Sequence, residues 1–281
     1  MLKIDRHTID EEHVNRRIKA EEKLLKSREN IARTNPEHIS LGSWAVDIQD
    51  YLSYLSVIEP DSLKICPLLQ STVQAATAHF QQALSVGGHI QVTIFGDVVI
   101  TLPTTGSSST THTGKWLRGF FAALVRRDTE ALHVLSNIPL EILRNSSTKS
   151  NEYVYLYVDF LQALWRREND LGTRLLNTAS ATDPEKLEIG GDYALSIVVP
   201  ALNLLLQLLQ RDAPQFNHAL YSALEEHKAF WSINEMRSRD PYGIIAWPLL
   251  AIASFAYDLK MPIEVESAYL PLRLLHGECQ A

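Results

Sequence analysis

Ala123-Leu124-Val125-Arg126-Arg127-Asp128 begins a pattern that the second half of the chain repeats. It returns as Ala163-Leu164-Trp165-Arg166-Arg167-Glu168, as Leu208-Leu209-Gln210-Arg211-Asp212, and in degenerate form as Ala256-Tyr257-Asp258-Leu259-Lys260. In each copy a basic residue follows an apolar stretch, which suits the negative end of a helix, and the next segment opens a turn before a second helix. The copies lie about forty residues apart, the length of a helical-hairpin repeat. We therefore predict a solenoid-like stack of α-α hairpins.

The first hundred residues are predicted to form a helical lobe that ends in a β-hairpin. Charged residues dominate 6–33, which indicates a solvated amphipathic helix, and 41–58 and 61–86 have the apolar spacing of two more helices. Residues 90–95 then alternate in polarity, Gly96-Asp97 supplies a turn, and 98–102 are rich in β-branched side chains. The predicted fold class is mainly α, with one small β-hairpin near residues 90–102.

A polar segment separates the two halves of the chain. Residues 104–114 consist mostly of Ser, Thr and Gly, which predicts a flexible surface loop. The predicted organisation is a lobe at 1–103, this loop at 104–114 and a helical-repeat region at 115–281. One continuous domain is the alternative.

Charge narrows the class of partner. The 281 residues include 26 Lys and Arg against 33 Asp and Glu, which gives a formal net charge of −7. A protein that binds nucleic acid needs a clustered basic surface, so this balance argues against nucleic acid as the main ligand and leaves open a basic protein partner. The first forty residues have nine basic and eight acidic side chains, so the remainder has a net charge of −8.

No segment has the pattern of an export signal or a membrane span. The first residues lack the apolar core of a secretory signal, and polar residues and Pro200 interrupt the most apolar stretch, Ala194–Leu209. We interpret this stretch as a buried core helix with a kink or a start at Pro200. Cys66 and Cys279 are too few for a disulfide framework, which is typical of the reducing cytoplasm, the predicted location.

The sequence contains no recognisable catalytic, metal-binding or cofactor-binding motif. Seven residues separate Gly106 from Gly114-Lys115, whereas a phosphate-binding loop has four between its glycines. The ten histidines are scattered, and His276 with Cys279 lacks the second pair that a tetrahedral zinc site needs. A nucleophile elbow is also missing, so we expect neither an enzyme nor a bound cofactor.

Two pairs of carboxylates are candidate functional groups. Glu225 and Glu226 are adjacent near the end of a predicted helix, and Glu264 and Glu266 alternate, so in an extended segment both would point to one side. A solvated surface explains them better than acid–base catalysis, because no sugar-binding aromatic framework surrounds them.

Two aromatic residues are candidate anchors for a partner. Trp231 and Tyr242 flank the charged stretch 233–240 in the region of the chain that is richest in aromatic residues. A core position is the more typical one for such side chains, but an exposed aromatic beside charges can anchor a binding partner.

Several segments match one known family in order along the chain. They are Gly119–Asp128, Asn151–Tyr155, Leu161–Trp165, Ala181–Glu185, Val198–Pro200, Ala223–Ser232 and, as the most distinctive, Leu259–Pro271, which reads Leu-Lys-Met-Pro-Ile-Glu-Val-Glu-Ser-Ala-Tyr-Leu-Pro. Together they span about Leu117 to Leu275 and resemble the immunity protein 49 family of bacterial polymorphic toxin systems.

The resemblance implies a cytoplasmic, non-enzymatic protein that binds a cognate toxin domain and neutralises it. We expect the protein to bind neither a membrane nor nucleic acid directly. Toxins that attack nucleic acid tend to have basic clefts, which an acidic inhibitor could occlude. The candidate toxin-binding residues are Glu225, Glu226, Trp231, Asp240, Tyr242, Glu264 and Glu266. The alternative is a helical-repeat scaffold for protein interactions without a toxin partner, and a hydrolase that uses Glu264 and Glu266 comes third.

Overall fold

The computed structural model describes residues 2–280, and helices dominate it. The α-helices are α1 (Glu11–Thr34), α2 (Leu41–Ile58), α3 (Ile65–Gln82), α4 (Thr113–Arg126), α5 (Thr129–Ser136), α6 (Leu140–Arg144), α7 (Glu152–Arg166), α8 (Leu171–Ser180), α9 (Gly191–Tyr193), α10 (Val199–Gln210), α11 (Ala213–Trp231), α12 (Glu235–Ser238), α13 (Trp247–Asp258) and α14 (Leu272–Leu275). The strands are β1 (Leu2–Ile4), β2 (Val86–Ile94), β3 (Val98–Thr105) and β4 (Val265–Ser267). The predicted mainly α class with a small β-hairpin is confirmed.

The repeated pattern of the second half ends four helices in one way. The backbone is left-handed at its last basic residue, with φ values of 61°, 58°, 56° and 65° at Arg127, Arg167, Arg211 and Lys260. The N–H of the next residue donates to the carbonyl five positions earlier, over 3.0–3.3 Å, in Asp128 to Ala123, Glu168 to Ala163, Asp212 to Gln207 and Met261 to Ala256. This Schellman geometry satisfies carbonyls that a helix end otherwise leaves unpaired.

The helix pairs α4/α5, α7/α8 and α10/α11 each pack as hairpins, and α13 packs against both α10 and α4. The row of hairpins therefore curls back on itself. Large side chains from successive helices fill its centre, since Trp116, Phe120, Phe160, Phe216 and Trp247 are all at most 1% exposed.

The N-terminal helices belong to this same core. Helix α3 packs against α4, and Leu52, Leu69 and Phe80 share one apolar cluster with Trp116 and Phe120. Helices α2 and α3 thus form one side of an interior that they share with the helices of the repeat-like half.

The β-hairpin is longer than predicted. It covers 86–105 rather than 90–102, so Gly87 and Gly88 lie inside β2. Its buried residues Val92, Ile94, Ile100 and Leu102 form an apolar cluster with residues of α2 and α3, including Trp44. The alternation of side chains predicted the hairpin, and the same alternation places the apolar face of the hairpin against the helices.

Residues 104–114 pack closely, and the prediction of a flexible surface loop is wrong for them. Thr111 and Thr113 are at most 1% exposed. The hydroxyl of Thr111 accepts from the N–H of Ser108 and donates to its carbonyl, each over 2.9 Å, and the carbonyl of Thr110 hydrogen-bonds to His79 at 2.9 Å. The Ser and Thr side chains satisfy the backbone themselves, so a segment without apolar residues is ordered.

The apolar stretch before Gln210 is one long helix with an irregular turn. Ala194–Val198 is a π-helical turn, and α10 follows with Pro200 in its first turn, as the proline predicted. By length and composition, Gly191–Gln210 is apolar enough to cross a membrane, and 44% of its most apolar window is buried inside the protein. A core helix passes the same test.

Two links join distant parts of the chain. Strand β1 pairs in parallel with β4, with Leu2 opposite Val265. Cys66, in the first turn of α3, forms a disulfide with Cys279, 213 positions away. The expectation of unpaired, reduced cysteines is therefore not met in this structure. The fold places the Cα atoms of Cys66 and Cys279 4.9 Å apart, and no local sequence pattern indicates that they are close.

Candidate functional site

The four glutamates singled out in the sequence are exposed. Glu225 and Glu226 lie on α11, and none of the four forms an ion pair within residues 2–280. Burial alternates from Glu264 to Ser267, so Glu264 and Glu266 share the exposed side of the β4 segment, as predicted. Free carboxylates of this kind are available to a basic partner.

Trp231 lies in the interior, which is the more typical position for such a residue. It is 5% exposed, its ring meets that of Phe230 edge to face at a centroid distance of 5.0 Å, and it packs over Gly243. Trp231 therefore cannot reach a partner unless this packing opens.

Asp240 and Tyr242 lie together beside a cavity. A carboxylate oxygen of Asp240 accepts from the N–H of Tyr242 at 2.9 Å, which fixes the short turn between them. The guanidinium of Arg118 lies 4.2 Å from the centre of the Tyr242 ring, a cation–π contact. Tyr242 lines the cavity, whereas none of the four exposed glutamates does. The seven candidate residues thus do not form one site.

The cavity has a volume of about 390 Å³ and lies between α2, α4, α7, the α9–α10 segment and the start of α13. Four tyrosines line it, together with three basic side chains on α4 and at its N-terminus: Tyr153, Tyr157, Tyr193, Tyr242, His112, Lys115 and Arg118. Most of its remaining lining is apolar, from Phe121, Leu117, Val154, Ile197, Val198 and others. This combination of an apolar wall and a few polar groups is typical of small-molecule sites.

Two of the basic side chains have different surroundings. Arg118 donates to Asp50 at 2.8 Å and to the side-chain oxygen of Gln49 at 3.2 Å, so its charge is paired. Burial raises the pKa of Asp50, and the Arg118 guanidinium opposes that rise. Lys115 makes only a 3.3 Å hydrogen bond to the hydroxyl of Ser43, and no carboxylate of residues 2–280 pairs with it. Burial lowers the pKa of Lys115, with Asp47 as the main opposing charge.

The cavity escaped prediction from sequence, although a signal for it was present. Tyr153 and Tyr157 lie four positions apart and therefore share one face of α7, and Lys115 and Arg118 are three apart on α4. What the sequence does not show is that these two faces meet.

A second feature is an exposed apolar groove between α8 and α10. Leu176 is 66% exposed, and Leu206 and Val199 are 40% and 36% exposed. Leu175 and Leu202 form its buried floor, and its volume is about 290 Å³. Exposed apolar surface of this kind is often used to bind proteins.

Residues 2–280 contain no group of three or more His, Cys, Asp or Glu side chains that could hold a metal ion. The paired glutamates are solvated, and burial lowers the pKa of His79 and His227, each of which hydrogen-bonds to a backbone carbonyl.

Comparison with known proteins gives one match. No curated protein and no solved structure is similar to the chain. The family model of immunity protein 49 matches residues 59–274, which run from just before α3 to α14 and include the β-hairpin and the residues of the 104–114 segment. This match covers most of the chain and begins well before the segments that carried the resemblance. The chain belongs to the immunity protein 49 family.

Proposed function

We propose that this protein binds the toxin domain of a cognate polymorphic toxin and neutralises it by occluding the toxin's active site. The observation that carries the proposal is the family match over residues 59–274. Its physical support is a curled row of helix pairs with a well-packed core, because a rigid surface loses little conformational entropy on binding.

The groups that suit a basic toxin cleft are the exposed glutamates. Glu225, Glu226, Glu264 and Glu266 are exposed without an ion pair inside the described part of the chain. Carboxylates that are not neutralised by neighbours attract a basic partner over a distance and accelerate its association. Asp240 is less suited to this role because it is half-buried and caps a turn.

The experiment has two levels. The first is co-expression of the protein with the toxin domain encoded beside it, with growth rescue and a pull-down as readouts. Rescue with a stable complex supports immunity, and a chain that neither rescues growth nor binds the toxin contradicts it.

The second level tests the acidic surface by association kinetics. We expect the variant with Glu225, Glu226, Glu264 and Glu266 all changed to Lys to associate about tenfold more slowly and with a weaker salt dependence. The variant with Glu59, Glu130, Glu141 and Glu185 all changed to Lys is the matched control, since these four residues are also exposed and unpaired within residues 2–280. Unchanged kinetics in the fourfold variant would show that these residues are not part of the interface. The immunity function itself is decided by the first experiment.

The proposed location is the cytoplasm, where the family's toxins would act. The Cys66–Cys279 pair makes this testable, because cytoplasmic thiols are kept reduced whereas disulfides persist in oxidising compartments. Alkylation during lysis should label both cysteines in a cytoplasmic protein. Protected cysteines in a protein that fractionates with the cell envelope would contradict the proposed location.

A scaffold for other proteins is the second candidate, and the exposed groove between α8 and α10 favours it. Leu206→Ser should weaken partner binding if this groove is the interface. If the toxin binds the Leu206→Ser variant as well as it binds the original chain, the groove serves another purpose.

A further inference from the structure

The cavity between α4 and α7 has the size of a ligand site. Its volume of about 390 Å³ falls within the range of about 300–1,000 Å³ that is usual for pockets that bind small molecules. The rings of Phe121, Tyr153 and Tyr157 contribute flat apolar surface, and aliphatic side chains such as Ile197 add to it. A flat aromatic body fits such walls, because aromatic rings prefer edge-to-face and offset contacts with one another.

One polar group in this wall has no partner. Tyr157 is 2% exposed, and its hydroxyl oxygen is buried without a hydrogen-bond partner among the described residues. A buried hydroxyl without a partner costs about 1–3 kcal/mol, so proteins rarely retain one unless something else bonds to it. Burial also raises the pKa of Tyr157, which keeps the hydroxyl protonated and able to donate.

One cation on the same cavity also forms no ion pair with the described residues. Lys115 is half-buried and lacks a carboxylate partner, whereas the neighbouring Arg118 is neutralised by Asp50 at 2.8 Å. An anionic group beside the Lys115 ammonium would balance it, and the phenol of Tyr157 can donate a hydrogen bond to an acceptor.

We propose that this cavity binds a small aromatic monoanion, with its anionic group at Lys115 and its ring system against the tyrosines of α7. A carboxylate, sulfonate or similar singly charged group fits Lys115, which forms no ion pair with a carboxylate of residues 2–280. A neutral aromatic compound would leave Lys115 unbalanced, and a multiply charged one would lack partners because Arg118 is already paired. This site goes beyond toxin binding, and its test does not depend on the toxin.

The test uses 8-anilino-1-naphthalenesulfonate, an aromatic monoanion that becomes fluorescent in an apolar site, and its uncharged analogue N-phenyl-1-naphthylamine. Titration of the full chain should show one saturable site for the sulfonate. Lys115→Met should weaken sulfonate binding about tenfold to a hundredfold, as expected for loss of a charged hydrogen bond, while binding of the neutral analogue changes little. Tyr157→Phe should weaken sulfonate binding by a smaller factor.

Three controls separate this cavity from other apolar surface. Val154→Trp fills the cavity and should abolish binding of both probes. Lys228→Met removes an equal charge from a lysine outside the cavity, and Leu206→Ser alters the groove between α8 and α10; neither should affect the sulfonate. Tyr157→Phe removes only a hydroxyl without a partner, so it provides a variant that keeps the fold if Val154→Trp does not.

Two results would overturn the proposal. The first is equal sulfonate affinity of the original chain and of folded Lys115→Met and Tyr157→Phe. The second is loss of sulfonate binding in Leu206→Ser with none in the cavity variants, which would move the probe to the groove.

Discussion

Arg211→Gly is expected to stabilise the protein, whereas the same substitution at Arg127 is expected to destabilise it. Both residues end a helix in the left-handed region, with φ values of 56° and 61°. That conformation costs an L-residue about 1–2 kcal/mol, and glycine adopts it freely. The two positions differ in what their side chains contact, so they separate the backbone contribution from the side-chain contribution.

The gain at Arg211 follows from the backbone alone. Its side chain is exposed and forms no hydrogen bond or ion pair with residues 2–280. Relief of the left-handed strain is partly offset by the greater freedom of glycine in the unfolded chain, about 0.5–1 kcal/mol. The net gain is therefore about 0.5–1 kcal/mol, and Arg167, which is also exposed and unpaired in the described residues, should behave in the same way.

The loss at Arg127 follows from its side chain, which is 11% exposed. The guanidinium donates to the carbonyl oxygens of Leu274 at 2.7 Å and Leu275 at 2.6 Å, and pairs with Asp258 at 3.0 Å. Asp258 is 37% exposed, so water screens this pair and its contribution is small. The two carbonyls lose charged donors worth about 1.5–3 kcal/mol each, which outweighs the relief and leaves a net loss of about 2–5 kcal/mol.

Urea unfolding monitored by circular dichroism measures both changes. The midpoint should rise for Arg211→Gly and Arg167→Gly and fall for Arg127→Gly, with the slope against urea unchanged. Destabilisation by Arg211→Gly, or an equal response at Arg127 and Arg211, would refute the account of these helix ends.

Three further predictions concern the interior. Burial lowers the pKa of His79 to about 4 and that of His227 to about 3, below the unfolded value, so stability is full above about pH 6.5 and falls as the pH drops towards these values. Urea unfolding should show a loss of about 2 kcal/mol per histidine between pH 7 and pH 5. Gly243→Ala should cost about 1–3 kcal/mol in the same assay, because the added Cβ would overlap the ring of Trp231. Cys66→Ser should lower stability by up to ~5 kcal/mol without reductant, since the bridge closes a loop of 213 positions.

Matched controls make these three decisive. His218→Gln should leave the pH dependence intact because His218 is exposed, and a pH dependence unchanged by substitution of both buried histidines would contradict the first prediction. Gly172→Ala should be neutral or stabilising, because a Cβ there meets nothing within 4 Å. The effect of Cys66→Ser should vanish when both proteins are measured with reductant, and a persistent difference would assign it to packing instead.

Local features of the fold were predictable because local physics decides them. Arg127-Asp128 and the matching pairs in the other copies of the pattern predict helix ends. A basic residue suits the C-terminal end of one helix, and an acidic residue caps the next helix. The alternation of polar and apolar residues in 90–95 predicts the hairpin because successive side chains of a strand point to opposite faces of the sheet. The segment 104–114 was misjudged because its hydroxyl groups satisfy the backbone, which composition does not reveal.

Features that depend on distant parts of the chain were not predictable. Cys66 and Cys279 are 213 positions apart in the sequence, and Leu2 pairs with Val265 across a similar separation, so neither contact is visible in a local pattern. The exposed glutamates were recognisable as surface residues from their pattern, but the cavity depends on how α4 faces α7. Tyr242 was singled out as an anchor for a partner and instead lines this cavity.

The pairing of β1 with β4 delays the completion of this part of the fold during synthesis. Leu2 is synthesised 263 positions before its partner Val265, which at about 5–20 residues per second is a delay of roughly 13–50 s. Throughout that interval β1 lacks its partner strand, and the His7 side chain lacks the Tyr269 hydroxyl to which it hydrogen-bonds. A nascent chain therefore completes this part of its fold only after β4 and Tyr269 have been synthesised.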